Sequence, residues 1–477
     1  MINQIILILY VTAILGLSLK LRQKTFSGFV LSDRNISHPA VIGIAFTAAY
    51  FSAASFLGGG GYGLVAGMPW IVFAVFLHVA FACLAWLMAP RIWAMAKELD
   101  AKTVPQLLER RYRSPAGKVI LAAIMLLMYT IYLVAIFKGC ASLLQGMLGV
   151  TFTQGLVIAL LLIALYYAIG GLPAIIWINA LQGTLMLLGA VLLYFALILK
   201  GGGLQIFDHL PIALTSMSGN VVPWQTTLGS AFSISLGLLA LPDLLIMIFS
   251  AKDKRVVRFA GVYGPISIAI YALCIFSIGV LAYGVFPPQD LTAFMKNSDA
   301  FVPFVARSLL PSGFDGMILL AALSAAMSTI SAIVLVTTTS LTSDILRFVR
   351  PSITDDKMLL LTRAVGLIIL AISAYATQNV PQQIVPLVSL SMGVIAACVF
   401  VPLIFGLYWK RGNGAGFVMS LVSSFASIVA WNFYGAPQVI HPVFIGLLCG
   451  AFAYVAASLL TGSSSISSKV EAEKSNI

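Results

Sequence analysis

The chain has 477 residues, 61% of them hydrophobic and only 9% charged, with a mean hydropathy of +1.05. No water-soluble globular protein of this length carries that balance, and no polar segment is long enough to house an enzyme domain. The formal charge of +12 needs no nucleic-acid partner, because basic residues that flank membrane spans account for it.

Thirteen apolar runs are long enough to cross a bilayer at about 1.5 Å per helical residue. They cover 2–19, 39–57, 68–90, 119–147, 153–170, 174–199, 227–250, 259–286, 314–345, 359–377, 382–409, 414–434 and 441–461. This predicts an all-α polytopic membrane protein, with one transmembrane domain over 1–461. The first run has no basic residue before it, has Lys20, Arg22 and Lys24 after it, and lacks a small-x-small cleavage site. It reads as a retained span, not a signal peptide.

With the N-terminus outside, the inside segments hold 23 of the 27 Lys and Arg residues. The outside segments hold Lys200, Lys296 and Arg307, and Lys138 falls inside the fourth span. The asymmetry predicts N-outside, C-inside. The longest outer loops are 200–226 and 287–313. The Ser-rich stretch 462–477 reads as a disordered cytoplasmic tail. The five cysteines all lie in apolar runs without metal-ligand spacing.

The most informative stretch is Ala45-Phe-Thr-Ala-Ala-Tyr-Phe-Ser-Ala-Ala-Ser-Phe-Leu-Gly-Gly-Gly-Gly-Tyr-Gly63 in the second span. It starts as an apolar helix, then gathers hydroxyls (Ser52, Ser55) and ends in four glycines. One reading is a broken helix, Ala48–Ser55, whose free carbonyls bind a small ion. The other is an ordinary helix with small-residue packing and a pliable exit. The residues alone leave both open.

Charged residues inside spans default to function. Lys138 in the fourth span could receive a substrate carboxylate, stand in for a cation, or pair with Asp243. A snorkelling or structural lysine is the plainer alternative. Asp243 follows Pro242 in the seventh span. Rise per residue puts Lys138 about 28 Å and Asp243 about 24 Å along spans that run in opposite directions, so the two need not meet. In the ninth span, Ser324, Ser328 and Ser331 share a face and Thr329 adjoins them. Such hydroxyls often bond back to the preceding turn, but beside unwound carbonyls they are the hard oxygens a sodium ion needs. His78 in the third span reads as a satisfied core histidine rather than a proton relay.

Four segments now carry a resemblance. Thr47-Ala-Ala-Tyr-Phe-Ser-Ala-Ala-Ser-Phe-Leu-Gly58 resembles the first core helix of the sodium/solute symporter family. Tyr166-Tyr-Ala-Ile-Gly-Gly171 with Leu181-Gln-Gly183 is similar to its Tyr-x-x-x-Gly-Gly…Leu-Gln signature. Ala325-Ala-Met-Ser-Thr329 is similar to its sodium-binding helix, and Gly406–Gly416 to its C-terminal signature. The order and spacing match over nearly the whole chain, and the branch most resembled is that of pantothenate and short-chain carboxylate permeases.

The resemblance implies a leucine-transporter-type fold. It would have two inverted five-helix repeats (39–199 and 227–409) and three peripheral helices. It implies one sodium, held by the carbonyls of Ala48, Phe51 and Ala325 and the hydroxyls of Ser328 and Thr329. Substrate would sit near Tyr50, Ser52, Ser55 and the middle of the seventh span (Ile234, Gly237, Leu241). From its own place inside a span, apart from the resemblance, Lys138 is expected to be a carboxylate partner or a coupling modifier. Asp243, Asn179 and His78 would be coupling or structural polar groups. Members with a second sodium have Asp where this chain has Asn179 and a hydroxyl where it has Ala332, so a single sodium is expected. The lack of Gln at Ser55 argues against a sugar. Pro242-Asp243 and Met247 replace the Pro-His and nearby Arg common in proline and carboxylate members.

The expected function is sodium-coupled import of a small organic anion by alternating access, in a bacterial inner membrane, by a monomer or weak homo-oligomer. A proton-coupled carrier, a proline-like amino-acid symporter and a membrane sensor module are the alternatives.

Overall fold

The computed structural model describes residues 2–217, 222–296, 298–311, 313–379, 384–434 and 440–462. All but the first residue of the expected tail 462–477 lies outside them. Among the described residues there is no strand, only an isolated bridge between Ile36 and Ala251.

The helices start where the sequence supplies their caps. Following α1 (Ile2–Lys20), a bent pair, α2 (Pro39–Tyr50) and α3 (Ala54–Ala66), turns by 73°. Next come α4 (Met68–Glu98), the short α5 (Val104–Tyr112) and α6 (Pro115–Leu148). Thr103 and Ser114 cap the last two by accepting from Gln106 N and Gly117 N, with proline in the first turn of each. Thr151 and Gln154 form a capping box that opens α7 (Phe152–Lys200).

At 49 residues, α7 would run about 74 Å as one rod, more than twice the hydrocarbon core. Gly171 divides it. Its backbone (φ 66°, ψ −163°) is glycine-only territory, and an added Cβ would meet the Phe29 carbonyl at 2.8 Å. The runs expected at 153–170 and 174–199 are its two halves.

The second half of the chain holds α8 (Trp224–Ala240), α9 (Pro242–Phe249), α10 (Lys254–Leu281), α11 (Phe314–Thr339), α12 (Asp355–Ala376), α13 (Ile384–Tyr408), α14 (Gly414–Phe433) and α15 (Pro442–Leu460). Two short helices, Pro288–Lys296 and Phe301–Leu309, fill the loop before α11. Among the described residues, eleven helices are long and apolar enough to cross a membrane, and the bent pair counts as a twelfth if it is one span. Dividing α7 at Gly171 brings the crossings to the thirteen expected.

Two of these spans are interrupted at mid-course. In the second, α2 ends at Tyr50, and Phe51 is extended (φ −81°, ψ 110°). In the seventh, Leu241 is extended (ψ 125°) between α8 and α9, because Pro242 disfavours helix in the residue before it. The four glycines 58–61 do not form the break. They are helical, Gly58 and Gly59 in a π-helix over Ala54–Gly59 and Gly60 and Gly61 in the turn after it. Their lack of side chains instead lets neighbours close in: a Cβ on Gly59 would meet Phe276 at 2.7 Å, and one on Gly60 would meet Val302 at 2.7 Å.

At the centre lies α11, buried along its length against α6 and α7. Beside it runs α2, packed on α7 and α10, where a Cβ on Gly43 would meet the backbone of Gly264 at 2.8 Å. The interrupted edge of α2 is thereby held against α11.

Candidate functional site

Every α-helix leaves its last four carbonyls without an intrahelical partner. In α2 the Phe51 N–H still reaches the Thr47 carbonyl (3.0 Å), and two of the carbonyls beyond it are met from α11. The Ser328 hydroxyl lies 2.7 Å from the Ala48 carbonyl and 3.1 Å from that of Ala325. The Thr329 hydroxyl lies 3.1 Å from the Ala49 carbonyl and 3.0 Å from that of Ala325. Both hydroxyl residues are buried.

Five oxygens thus converge: three carbonyls and two hydroxyls. All are hard and none is charged. Such a set suits a monovalent hard cation, whereas calcium sites draw on carboxylates. Of the expected ligands, Ala48, Ala325, Ser328 and Thr329 are brought together. No hydrogen bond ties the Phe51 carbonyl into this cluster among the described residues. The Ala49 carbonyl was not expected, although it follows directly from the end of α2.

Asn179 of α7 borders the cluster. Its amide nitrogen reaches the Ser328 carbonyl (3.4 Å), and its amide oxygen accepts from Ser331 (3.4 Å).

Next to the α2 break is a cavity of about 110 Å³. Tyr50, Phe51, Ser52 and Ser55 form one wall, and Tyr62, Trp70, His78 and Phe276 another. Tyr132, Ser230, Ile234, Ser389 and Met392 complete it. The Tyr50 hydroxyl donates to the Ile234 carbonyl (2.9 Å), tying the second span to the seventh. Trp70 closes one side by donating from its indole nitrogen to the Gly59 carbonyl (2.9 Å).

Tyr50, Ser52, Ser55 and Ile234 line this cavity as expected. Gly237 and Leu241 do not. They lie one and two turns further along, where Gly237 faces Leu241 and Met392. Ser230, one turn earlier, lines it instead. The expected window, Ile234 to Leu241, thus overlaps the cavity at its first residue only, and the cavity continues one turn toward the start of α8. Tyr132 was missed too. Its spacing from Tyr129, three residues on one helix face, was the available signal.

His78 combines two roles. Its Nδ1 lies 2.6 Å from the Ala74 carbonyl, which only accepts, so Nδ1 carries the hydrogen. The ring stacks on Phe51 at 5.7 Å. Its Nε2 is buried without a hydrogen-bond partner among the described residues, so the histidine is only half satisfied, and it also lines the cavity.

Lys138 is not in this cavity. It lines a separate one of about 930 Å³, with Asp299, Lys296 and Arg307. Nor does it pair with Asp243, whose carboxylate accepts from the Tyr129 hydroxyl at the start of α9. Tyr129 and Lys138 are nine residues apart on α6, about 13 Å along its axis. Opposite runs of the two spans set these groups at different depths. Asp243 instead meets the positive end of the α9 dipole.

At the far end of α11, a second π-helix (Ser340–Leu346) carries buried Asp344. Its carboxylate accepts from Thr103 (2.9 and 3.0 Å) and Gln106 (2.8 Å), binding α5 to the end of α11.

The sodium:solute symporter family pattern matches residues 29–423, most of the chain. This chain belongs to the sodium:solute symporter family. Its relatives include the sodium/pantothenate symporter of Haemophilus influenzae, 25% identical, with 95% of each chain covered. The sodium/pantothenate symporter of Escherichia coli is 28% identical, with 87% of each chain covered. Among solved structures, a sodium-coupled sialic acid symporter in a substrate-bound outward-open state superimposes with a TM-score of 0.84 at 20% identity, covering 98% of this chain and 99% of that one. The symporter therefore has the leucine-transporter-type fold, and it is a sodium-coupled membrane transporter, not an enzyme.

Proposed function

We propose that this symporter imports a small organic carboxylate with one sodium ion, by alternating access around the α2 break. The observation that carries the reading is the meeting of the Ala48 and Ala49 carbonyls with the Ser328 and Thr329 hydroxyls. A sodium ion there would hold the free edge of α2 against α11. The same edge continues into Phe51 and Ser52, which line the cavity, so the ion and the solute would order one backbone segment. Each would then favour the other's binding.

Ser52, Ser55, Ser230, Ser389 and Tyr132 offer hydroxyls to the carboxylate, while Phe51, Trp70 and Phe276 enclose its carbon skeleton. Among the described residues, no Lys or Arg lines this cavity. The counter-charge would come from the sodium itself, one turn of α2 away, and this is a physical reason for coupling. The pantothenate symporters among the relatives support the carboxylate class.

The reading takes 39–199 and 227–409 as the two repeats, consistent with one interrupted span in each, five spans apart. It places the N-terminus outside and the C-terminus in the cytoplasm, on the strength of the Lys and Arg asymmetry. In a bacterial host the membrane would be the inner one.

The test is uptake into proteoliposomes of pantothenate and of short monocarboxylates, under an inward sodium gradient and, separately, a proton gradient. Sodium-driven accumulation of at least one carboxylate is expected. Uptake driven by protons without sodium, or of amino acids alone, would replace the reading.

A further inference from the structure

We infer that the cavity around Lys138 is an outer anteroom that binds the organic carboxylate before it passes to the Tyr50 cavity. The inference rests on the carboxylate reading and on the N-outside orientation.

The outer side of the protein is poor in cations. It holds Lys200, Lys296 and Arg307, with Lys138 inside the fourth span. Three of these four line one cavity of about 930 Å³. Among the described residues of its lining, Asp299 is the one acidic group beside three cations.

The placement is built. Arg307 is anchored by donating to the Gly146 carbonyl at the end of α6 (2.9 Å). Lys138 projects from α6 and senses Asp299 across the cavity. Leu57, Phe294 and Phe304 supply an apolar wall, which favours an organic anion over a small inorganic one. A charged cleft with low-dielectric walls concentrates counter-ions and raises capture rates by roughly 10- to 1,000-fold.

The route onward is short. Tyr62 lines both cavities, and α3 forms the partition between them, with Leu57 and Gly61 on one side and Gly58 and Gly59 on the other. The division of labour follows: fixed cations gather the anion outside, and the inner cavity, which has none, accepts it only with sodium.

The test uses the purified full-length protein with pantothenate as the probe. Titration calorimetry in sodium-free choline buffer should show weak binding that falls as ionic strength rises and is lost in Lys138→Gln and Arg307→Gln. In proteoliposomes the same variants should raise the KM for pantothenate roughly tenfold, with Vmax and the sodium concentration for half-activation unchanged. Lys138→Arg should restore both. Size-exclusion profiles in detergent verify folding, and the conservative variant separates loss of charge from loss of fold.

Sodium-free binding and KM values that match the wild type in both glutamine variants would overturn the inference. Equal binding of inorganic phosphate and pantothenate would overturn its organic class. If pantothenate is not transported but its sodium-free binding still disappears in Lys138→Gln, the anteroom stands and the proposed transport substrate falls.

Discussion

The Ser328 hydroxyl lies 2.7 Å from the carbonyl oxygen of Ala48, joining residues 280 positions apart in the chain. One belongs to an unbroken, fully buried helix and the other to the frayed end of an interrupted one. This contact ties a rigid element to the end of an interrupted one, where backbone oxygens lack intrahelical partners. Four predictions start from it and from its surroundings.

Replacing Ser328 or Thr329 by alanine removes one of five neutral oxygens and leaves a buried carbonyl without its partner. A hydrogen bond to a charged group contributes about 1.5–3 kcal/mol, so sodium affinity should fall roughly 10- to 100-fold. The measurement is sodium activation of solute uptake, with membrane content followed on immunoblots. Normal sodium activation in both variants would remove the site assignment.

Asn179 offers an amide where a second cation would favour a carboxylate. The sodium activation curve of the wild type should therefore be hyperbolic, with one sodium moved per solute. In Asn179→Asp the added charge lies beside Ser328 and Ser331, and sodium affinity should rise or the curve turn sigmoidal. Isotope flux ratios decide this. Two sodium ions per solute in the wild type would contradict it.

Asp344 accepts from Thr103 and Gln106, so opening that end of the protein must break these bonds. Asp344→Ala leaves the buried Thr103 hydroxyl without its acceptor, at about 1–3 kcal/mol, and removes one of two acceptors of the Gln106 amide, which keeps Ser343. The population should move roughly tenfold or more toward the state open at that end. A Ser55→Cys reporter, in a background with the five native cysteines replaced, should label faster from that side. An unchanged labelling rate would mean that the Asp344 cluster is structural only.

Asp299 lies in the loop beside Lys138. Burial raises its carboxyl above the ordinary range and the lysine opposes this. Its Oδ1 is buried without a hydrogen-bond partner among the described residues. Acidification neutralises the carboxylate and so makes the cavity more positive. At a pH low enough to protonate Asp299 but at which the solute carboxylate is still ionised, the KM should be lower than at higher pH. In Asp299→Asn the KM should be low throughout and flat. A KM that rises on acidification in the wild type would reverse this assignment.

Local chemistry explains what was legible in the sequence. Span order and number follow from apolar runs of fixed length, because a bilayer demands about twenty apolar residues per crossing. The Ser328-Thr329 pair and the Ala48 region were legible because oxygen-rich segments stand out in such runs. The π-helical packing of the four glycines was not, since glycine marks both a flexible joint and a tight contact. Only its neighbours, Phe276 and Val302, tell which.

The sequence by itself determined the membrane class, the thirteen apolar runs and the hydroxyl-bearing segments around Ser52 and Ser328, while the resemblance to a family supplied the ion ligand set. The tertiary structure alone decided that Ala49 joins that cluster and that Ser230, not Gly237 or Leu241, borders the inner cavity. It also decided that Lys138 faces Asp299 rather than Asp243. The physical reason is that helices apolar on every side carry little record of which face turns inward. Depth and facing are settled where one helix packs against another, as Gly43 does on Gly264 and α11 does on α6 and α7.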